Sequence, residues 1–399
     1  MSVTAAKGFE AGGLASGIKP SGAPDLALIA TVDHRPVTAA GVFTSNIVVA
    51  APVQVSRRHL VDARAAAVVL NSGNANAATG EVGKRDAFRM CELTAADLGC
   101  HPRDVLVCST GLIGIPMPME PVESGIPMLT GMLSADADGG TRAADAILTT
   151  DTVRKETVQH AELGPGLTAT IGGMAKGAAM LSPAMATMLA VITTDAAVDG
   201  AALRGMLEAA VTDSFNSLLV DGSRSTNDTV LVLANGAIGN EPITRSGRGA
   251  REFGDALAAA CADLAHQMAA DAEGATKLAR ITVRGARSYA EARTAARAVA
   301  ASQLVQCSLY GCDPYWGRVL SELGASGARF DPDQVEISYQ GMQVCRNGFV
   351  SPHDIDALAQ LMQQRDIEID CDLHAGVGAA SVLFTDLTHA YVDENMGTS

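Results

Sequence analysis

The sequence predicts an α+β fold of layered sheets and helices, because its strand and helix patterns do not alternate regularly. Apolar, β-branched runs bounded by glycine or polar residues predict strands at residues 66–70, 105–108, 167–171, 229–233, 281–283 and 335–339. Alanine-rich amphipathic stretches predict helices at residues 84–98, 201–216, 250–271, 289–302 and 352–364. Several strands are followed by another strand or a long loop, which favours an α+β or layered sandwich over a doubly wound parallel sheet.

Length and composition limit the classes of protein to consider. The 399 residues are 48% hydrophobic, which is enough for one large or two ordinary cores. The formal net charge of −15 argues against nucleic acid or an anionic membrane as a partner, because both require a basic surface. The first residues contain no apolar segment typical of a secretory signal, so we expect a cytosolic protein.

The sequence offers little support for a metal or a nucleotide cofactor. The eight cysteines form no Cys-x-x-Cys pair, and the eight histidines form no His-x-x-x-His pair. Neither of the glycine-rich signatures that bind nucleotide phosphates occurs. We therefore expect a protein that works without a metal or a bound cofactor.

A long uncharged run lies between Lys176 and Asp195. It spans eighteen residues and contains Pro183 and the hydroxyl of Thr187 between Ala186 and Met188. A membrane helix is one reading, but Gly177, Ser182, Pro183 and the threonines make it a poor span. A buried strand or core helix accounts for the run as well, with Thr187 bonded to nearby backbone.

Three further positions could carry chemistry or could be ordinary. Thr110 and Gly111 follow the strand predicted at 105–108, where a glycine lets a backbone N–H approach a developing negative charge; a plain turn is the alternative. Lys176 could bind a carboxylate or lower the pKa of a neighbouring amine, or it could be a solvated strand end. Glu273 follows a predicted helix and could be a solvated charge there.

Several motifs together resemble the ornithine acetyltransferase (glutamate N-acetyltransferase) family of arginine biosynthesis. The resemblance extends from Gly8 to Ser399. The matching segments are Gly41-Val-Phe-Thr, Leu70-Asn-Ser-Gly-Asn-Ala-Asn-Ala, Ser109-Thr-Gly-Leu-Ile-Gly, Thr149-Thr-Asp, Ala186-Thr-Met-Leu, Ser225-Thr-Asn-Asp-Thr, Glu273-Gly-Ala-Thr-Lys, Asp313-Pro-Tyr-Trp-Gly-Arg and the tail from Tyr391 to Ser399. Ala184, Tyr315 and Arg154 depart from the usual family residues, which leaves cleavage rate and acceptor preference open.

The resemblance implies that the chain cuts itself between Ala186 and Thr187. This would yield an α chain of residues 1–186 and a β chain of residues 187–399, folded as an α/β/β/α-type sandwich and assembled as α2β2 or larger. The freed Thr187 would be the nucleophile. Its new α-amine, with an ordinary pKa of about 7.7–8, could serve as the base without a histidine, and β-branching would restrict the hydroxyl's rotamers.

The resemblance also implies the reaction and the roles of the site residues. Acetyl would pass from N-acetyl-ornithine to Thr187 and then to glutamate, with Thr110 and Gly111 forming the oxyanion hole. The implied substrate-binding residues are Thr149 or Thr150, Lys176, Thr187, Glu273, Asn395 and Ser399. No cofactor is required, although some family members also take acetyl-CoA as a donor. The alternatives are an N-terminal-nucleophile aminopeptidase of related fold and an uncleaved amino-acid-binding protein.

Overall fold

A computed structural model describes residues 2–180 and 188–396. These residues form two compact units. The first unit contains residues 2–180, 188–216 and 224–268, and the second contains residues 217–223 and 269–396. Residues of the first unit come from both sides of the proposed cleavage point, so the units are a different division of the chain from the proposed α and β chains.

Two sheets form the centre of the first unit. The four-stranded sheet has the order β1-β2-β5-β6, and its β5 and β6 are parallel. Its strands are β1 (Phe9–Leu14), β2 (Leu26–Thr31), β5 (Ala67–Asn74) and β6 (Val105–Leu112). The six-stranded sheet has the order β4-β3-β11-β9-β8-β7. Its strands are β3 (Val37–Phe43), β4 (Arg64–Ala65), β7 (Lys155–Gly164), β8 (Leu167–Lys176), β9 (Leu189–Thr194) and β11 (Thr229–Ala234).

The two sheets pack face to face, and helices cover their outer faces. One buried cluster joins alternate residues of both sheets, such as Val68 and Leu70 of β5 with Leu189 and Val191 of β9. The other face of β5, including Val69, packs against the helices α1 (Ala51–His59), α2 (Gly80–Leu98) and α3 (Met119–Thr130). Because both faces of the central strands are covered, β2 and β9 are buried throughout and mostly apolar.

Helices also cover the outer face of the six-stranded sheet. Helix α6 (Ala250–Ala270) bonds to β7 through Asp263, whose carboxylate accepts from the Thr157 hydroxyl at 2.6 Å. Helix α5 (Gly200–Asp213) packs against β3. Helix α4 (Ala137–Ala146) instead packs against β1 of the four-stranded sheet, and its buried alanines join the cluster between the two sheets. The layers therefore follow the order helix, sheet, sheet, helix, which confirms the predicted α+β sandwich.

A seven-stranded sheet organises the second unit, with the order β10-β17-β12-β16-β13-β14-β15. Its strands are β10 (Leu218–Leu219), β12 (Leu278–Ala286), β13 (Glu336–Tyr339), β14 (Met342–Arg346), β15 (Phe349–Val350), β16 (Asp366–Asp372) and β17 (Gly378–Thr385). Its helices are α7 (Tyr289–Ala301), α8 (Gln303–Tyr310), α9 (Trp316–Ala325), α10 (Ile355–Leu361) and α11 (His389–Glu394). Helices α7 to α10 share one apolar core with the sheet.

The predicted elements are present, with two corrections to their ends. The helix predicted at 201–216 ends at Asp213, because Ser214 leaves the helical region with φ −116° and ψ −94°. The helix predicted at 352–364 is the shorter α10, which begins at Ile355. The side chain of Asp354 caps its amino end by accepting a hydrogen bond from the Ala357 amide. Across the described residues, the helices are too short or too polar to cross a membrane. The cytosolic location stays a prediction.

The second unit's core makes a prediction about Tyr339. Its side chain is fully buried, its hydroxyl has no hydrogen-bond partner among the described residues, and burial raises its pKa. A buried polar group without a partner costs about 1–3 kcal/mol, so Tyr339→Phe should raise the free energy of unfolding by about 1 kcal/mol in denaturant titrations. Phe384→Ala is the matched core control and should lower it by about 3–5 kcal/mol. A loss of stability in Tyr339→Phe would mean that the hydroxyl is bonded.

Candidate functional site

The ends of three neighbouring strands, β8, β9 and β11, lie side by side in the six-stranded sheet. Strand β8 ends at Lys176, which pairs with Leu189 at the start of the antiparallel β9. Leu189 pairs in turn with Thr229 at the start of β11, which runs parallel to β9. The residue before β9, Met188, therefore lies beside the residue before β11, Asp228. The proposed cleavage residues, Ala186 and Thr187, lie outside the described residues.

Met188 is held by hydrogen bonds at both ends of its backbone. Its amide donates to Oδ1 of Asp228 at 3.0 Å, and its carbonyl accepts from the Thr229 amide at 3.1 Å. The Met188 amide is the nitrogen of the peptide bond to Thr187. The chain is thus fixed immediately after the proposed nucleophile.

Thr110 and Gly111 lie at the end of β6 in the other sheet, as the sequence predicts. Gly111 pairs with Gly73 of β5. At its φ of +132° a side chain would be strained, and a Cβ there would lie 2.3 Å from the Gly73 carbonyl carbon. Thr110 is 2% exposed, and its hydroxyl has no hydrogen-bond partner among the described residues. Nearby Cys108 is a poor rival nucleophile, because burial raises the pKa of its thiol to about 12.

Asn227 ties the ends of the two sheets together. Its Nδ2 donates to the Ser109 carbonyl at 2.8 Å and to the Ala75 carbonyl at 2.6 Å. Ser109 immediately precedes Thr110, while Asn227 immediately precedes Asp228. The segment after the proposed nucleophile and the proposed oxyanion-hole strand are therefore joined through two consecutive residues.

A buried cluster of charges surrounds Asp151. This carboxylate lies 2.5 Å from Nζ of Lys155 and 3.6 Å from Nζ of Lys176, and all three side chains are at most 3% exposed. The Gly177 amide also donates to Asp151, at 2.7 Å. Burial alone would raise the pKa of Asp151, but Lys176, Lys155 and these hydrogen bonds together lower it below its ordinary value. The buried position of Lys176 excludes the solvated strand end.

The two candidate threonines next to this cluster differ. Thr149 donates its amide to Oδ2 of Asp151 at 3.1 Å, so it lies against the charged cluster. Thr150 is exposed. Lys19 also lies in this region, where its Nζ donates to the Leu148 carbonyl at 2.6 Å. Burial and Lys176 lower its pKa, although Asp25 and Asp151 act in the opposite direction.

Asp228 is the second buried carboxyl of this region. It is fully buried, and burial raises its pKa well above the ordinary value despite the hydrogen bond from Met188 and the nearby Lys176. Burial therefore dominates the pKa of Asp228, whereas the two lysines dominate that of Asp151. The two carboxyls differ because Asp151 contacts two lysines.

The second unit brings Glu273 and Asn395 together. Glu273 is 8% exposed and accepts a hydrogen bond from Nδ2 of Asn395 at 2.8 Å. Asp386 accepts from the Thr276 hydroxyl at 2.5 Å and from the Lys277 amide at 3.0 Å, which fixes the segment after Glu273. The tail residue Ser399 lies outside the described residues. In the described part of the chain, no group of three or more His, Cys, Asp or Glu side chains could hold a metal ion.

Sequence reasoning assigned no role to five residues of the first unit's site: Lys19, Asp151, Lys155, Asn227 and Asp228. Two of the quoted motifs contain three of them, since Thr149-Thr-Asp ends in Asp151 and Ser225-Thr-Asn-Asp-Thr contains Asn227 and Asp228. The presence of Asp151, Asn227 and Asp228 in these motifs is the sequence feature that indicates their proximity to the site. For Lys19 and Lys155, the sequence offers no comparable signal.

Comparisons with known proteins agree on one family. The family model described as "ArgJ family" matches residues 10–397. The arginine biosynthesis bifunctional protein ArgJ of Symbiobacterium thermophilum is 48% identical over 395 residues, which cover 98% of this chain and 97% of that protein. The protein of the same name from Thermobifida fusca is 46% identical over 399 residues, the full length of both chains.

A solved structure adds a partial match. The crystal structure of the arginine biosynthesis bifunctional protein from Bacillus halodurans has 35% sequence identity and a TM-score of 0.50. The match covers 51% of this chain and 96% of that one. The matched chain is therefore about half as long as the present chain.

The charge cluster makes a prediction about acid stability. Because the folded pKa of Asp151 is lowered, its contribution to stability is present above the pKa of an unfolded aspartate, about 3.9, and is lost as the pH falls below that value. Asp151→Asn should lower the free energy of unfolding at pH 7 by about 3–5 kcal/mol, because it removes a buried carboxylate that Lys155 and Lys176 contact. It should also flatten the decline in stability below pH ~4.

Asp145→Asn is the matched control in a denaturant series from neutral to acid pH. Asp145 pairs with Arg154 at 2.8 Å, but both side chains are at least 40% exposed, so the loss should be about 0–1 kcal/mol. Equal losses in the two variants would contradict the assignment of Asp151 as the centre of the charge cluster.

Proposed function

The chain belongs to the ArgJ family, and we infer from this that it is an acyltransferase of arginine biosynthesis. The observation that carries the inference is the full-length match at 48% identity. We propose that it moves acetyl from N-acetyl-ornithine to glutamate through an acetyl ester on Thr187. The geometry around Met188, Thr110 and Lys176 supports this reaction, because these described residues lie next to the nucleophile in sequence or in the same buried region.

The proposed enzyme first cuts its own chain. The Thr187 hydroxyl attacks the Ala186 carbonyl carbon, the peptide C–N bond breaks, and the proton lost from the hydroxyl goes to the new α-amine. Water then hydrolyses the ester, which leaves a carboxylate on Ala186 and a free hydroxyl on Thr187. The chain in the Bacillus halodurans structure, about half as long as this one, supports such a cut.

Acetyl transfer then repeats the same chemistry on the substrate. The Thr187 hydroxyl attacks the acetyl carbonyl of N-acetyl-ornithine, while the α-amine takes the hydroxyl proton and returns it to the departing ornithine nitrogen. The amine of glutamate next attacks the ester carbonyl carbon, and the ester C–O bond breaks. The proton lost by that amine passes through the α-amine to the Thr187 oxygen, and N-acetylglutamate leaves. The Thr110–Gly111 backbone would stabilise the oxyanion in both steps. Only a glycine fits at position 111, because a Cβ there would collide with the backbone of Gly73.

The proposed binding residues supply charges that match an amino acid. Lys176, held beside Asp151, offers a cation to a carboxylate or to the neighbouring amine. Glu273, fixed by Asn395, offers a carboxylate to an ammonium group. We assign substrate binding also to Thr149 or Thr150, to Thr187 and to Ser399 on the family resemblance. The reaction requires no metal or cofactor, and acetyl-CoA as a second donor is tested by supplying it with glutamate alone.

The sheet order supports the idea that the two product chains stay together. Strands β3, β4, β7 and β8 precede the cut, while β9 and β11 follow it and lie between β3 and β8. Cleavage would leave their ladders intact, so the products should remain one folded unit. We propose an α2β2 assembly of these products. Sedimentation of the cleaved protein as a single αβ unit would contradict it.

Thr187→Ala should remain one chain and lose acetyl transfer by on the order of 10³-fold or more, because it lacks the attacking oxygen. Wild type should give two masses, which match the fragments expected from a cut between residues 186 and 187. Intact-mass measurement and an N-acetyl-ornithine plus glutamate assay check both outcomes.

Two further variants separate chemistry from packing in this test. Thr187→Ser keeps a hydroxyl and should still cleave and transfer. Thr193→Ala removes another buried threonine, whose hydroxyl donates to the Val3 carbonyl at 2.6 Å, and should cleave normally. An uncut wild type that binds amino acids without turnover would support the binding protein instead. Release of free acid to water, without N-acetylglutamate, would support the aminopeptidase.

A further inference from the structure

Two consecutive side chains, Asn227 and Asp228, take no part in the proposed chemistry but bond to both halves of the site. Asn227 is 3% exposed and Asp228 is fully buried. Asn227 donates to the Ser109 carbonyl, one residue before Thr110. Asp228 accepts from the Met188 amide, the nitrogen of the peptide bond to Thr187. Each contact is therefore one residue away from a group assigned to the reaction.

We propose that Asn227 and Asp228 are a positioning pair that sets the separation between the nucleophile and the oxyanion hole, for self-cleavage and for acetyl transfer. This assignment rests on the proposed function. Consecutive Cα atoms are about 3.8 Å apart across a planar peptide, so the two contacts are linked by a short and stiff connection. A displacement of about 1 Å between reacting groups can cost on the order of 10²-fold in rate.

The pair is itself rigidly held. The Asp228 carbonyl accepts from the Thr44 amide at 2.9 Å, and the next residue, Thr229, begins β11 and bonds to Met188. The Thr226 hydroxyl donates to Oδ1 of Asn227 at 2.5 Å. The two carbonyls that Asn227 contacts can only accept, which identifies its Nδ2 and leaves its Oδ1 to accept from Thr226.

The chemistry of Asp228 suits a residue that holds the main chain better than one that balances a positive charge. Burial raises the pKa of this carboxyl, which disfavours a negative charge beside Lys176 and beside the α-amine that must lose its proton. Its Oδ2 has no hydrogen-bond partner among the described residues. An asparagine at position 228 could therefore keep the bond to Met188 and fill the same volume.

The chain supplies a control carboxyl at the opposite end of the same strands. Asp195 directly follows β9, is 1% exposed, and accepts from the Thr170 amide at 2.7 Å and the Lys7 amide at 3.3 Å. It resembles Asp228 in burial and in accepting backbone amides. It lies at the carboxyl end of β9, whereas Asp228 lies beside the amino end. Its loss should affect folding alone.

The test uses the full chain and measures the cleavage rate by mass, kcat and KM for acetyl transfer, and the melting temperature. Asp228→Ala and Asn227→Ala should each slow cleavage and lower kcat by on the order of 10²-fold, with a smaller change in KM. Asp228→Asn should restore most of both rates. Asp195→Ala should lower the melting temperature without changing either rate.

Three results would overturn the assignment. The first is Asp228→Ala and Asn227→Ala behaving like Asp195→Ala, with lower stability and unchanged rates. The second is Asp228→Asn losing as much rate as Asp228→Ala, since the asparagine keeps the acceptor. The third is a wild type that neither cleaves nor transfers, which refutes the proposed function itself and is recognised before any variant is made.

Discussion

The register of the six-stranded sheet is the constraint on which the rest of the site depends. Because β9 lies between β8 and β11, Lys176, Leu189 and Thr229 are neighbours in one row, although they are far apart in sequence. This row places Met188 against Asp228. Lys176, the last residue of β8, lies in the same row. A shift of β9 by one residue would turn its side chains to the opposite faces and break both bonds of Met188. The apolar pattern of β9 excludes such a shift less strongly than usual, since both faces are buried, so the polar bonds at its start help to fix the register.

The site also shows how buried charge is accommodated. Two lysines contact the carboxylate of Asp151 and lower its pKa, whereas burial raises the pKa of Asp228. The carboxyl of Asp228 instead holds the main chain, because it accepts a hydrogen bond from the Met188 amide. Two carboxyls of one small region thus have different roles because their neighbours differ.

Local patterns predicted the elements more completely than the site. The apolar run at 105–108 predicted β6, because a strand is visible in a few neighbouring residues. The strand nevertheless continues to Leu112, so Thr110 and Gly111 are paired strand residues and do not form a turn. The partners of Asp151 and Asp228 were not predictable in this way. Lys176 is 25 residues from Asp151, and Met188 is 40 residues from Asp228, so each contact depends on strand pairing that no local pattern specifies. Thr187 was predicted from the resemblance, and its role remains a proposal.

The most direct test of the central claim is the mass of the enzyme after exposure to N-acetyl-ornithine without glutamate. The fragment beginning at Thr187 should gain the mass of one acetyl group, and peptide mapping should place that group on the threonine. Added glutamate should then remove it as N-acetylglutamate. An enzyme that forms N-acetylglutamate at full rate while this fragment never carries acetyl, even on rapid acid quenching, would contradict the covalent route through Thr187.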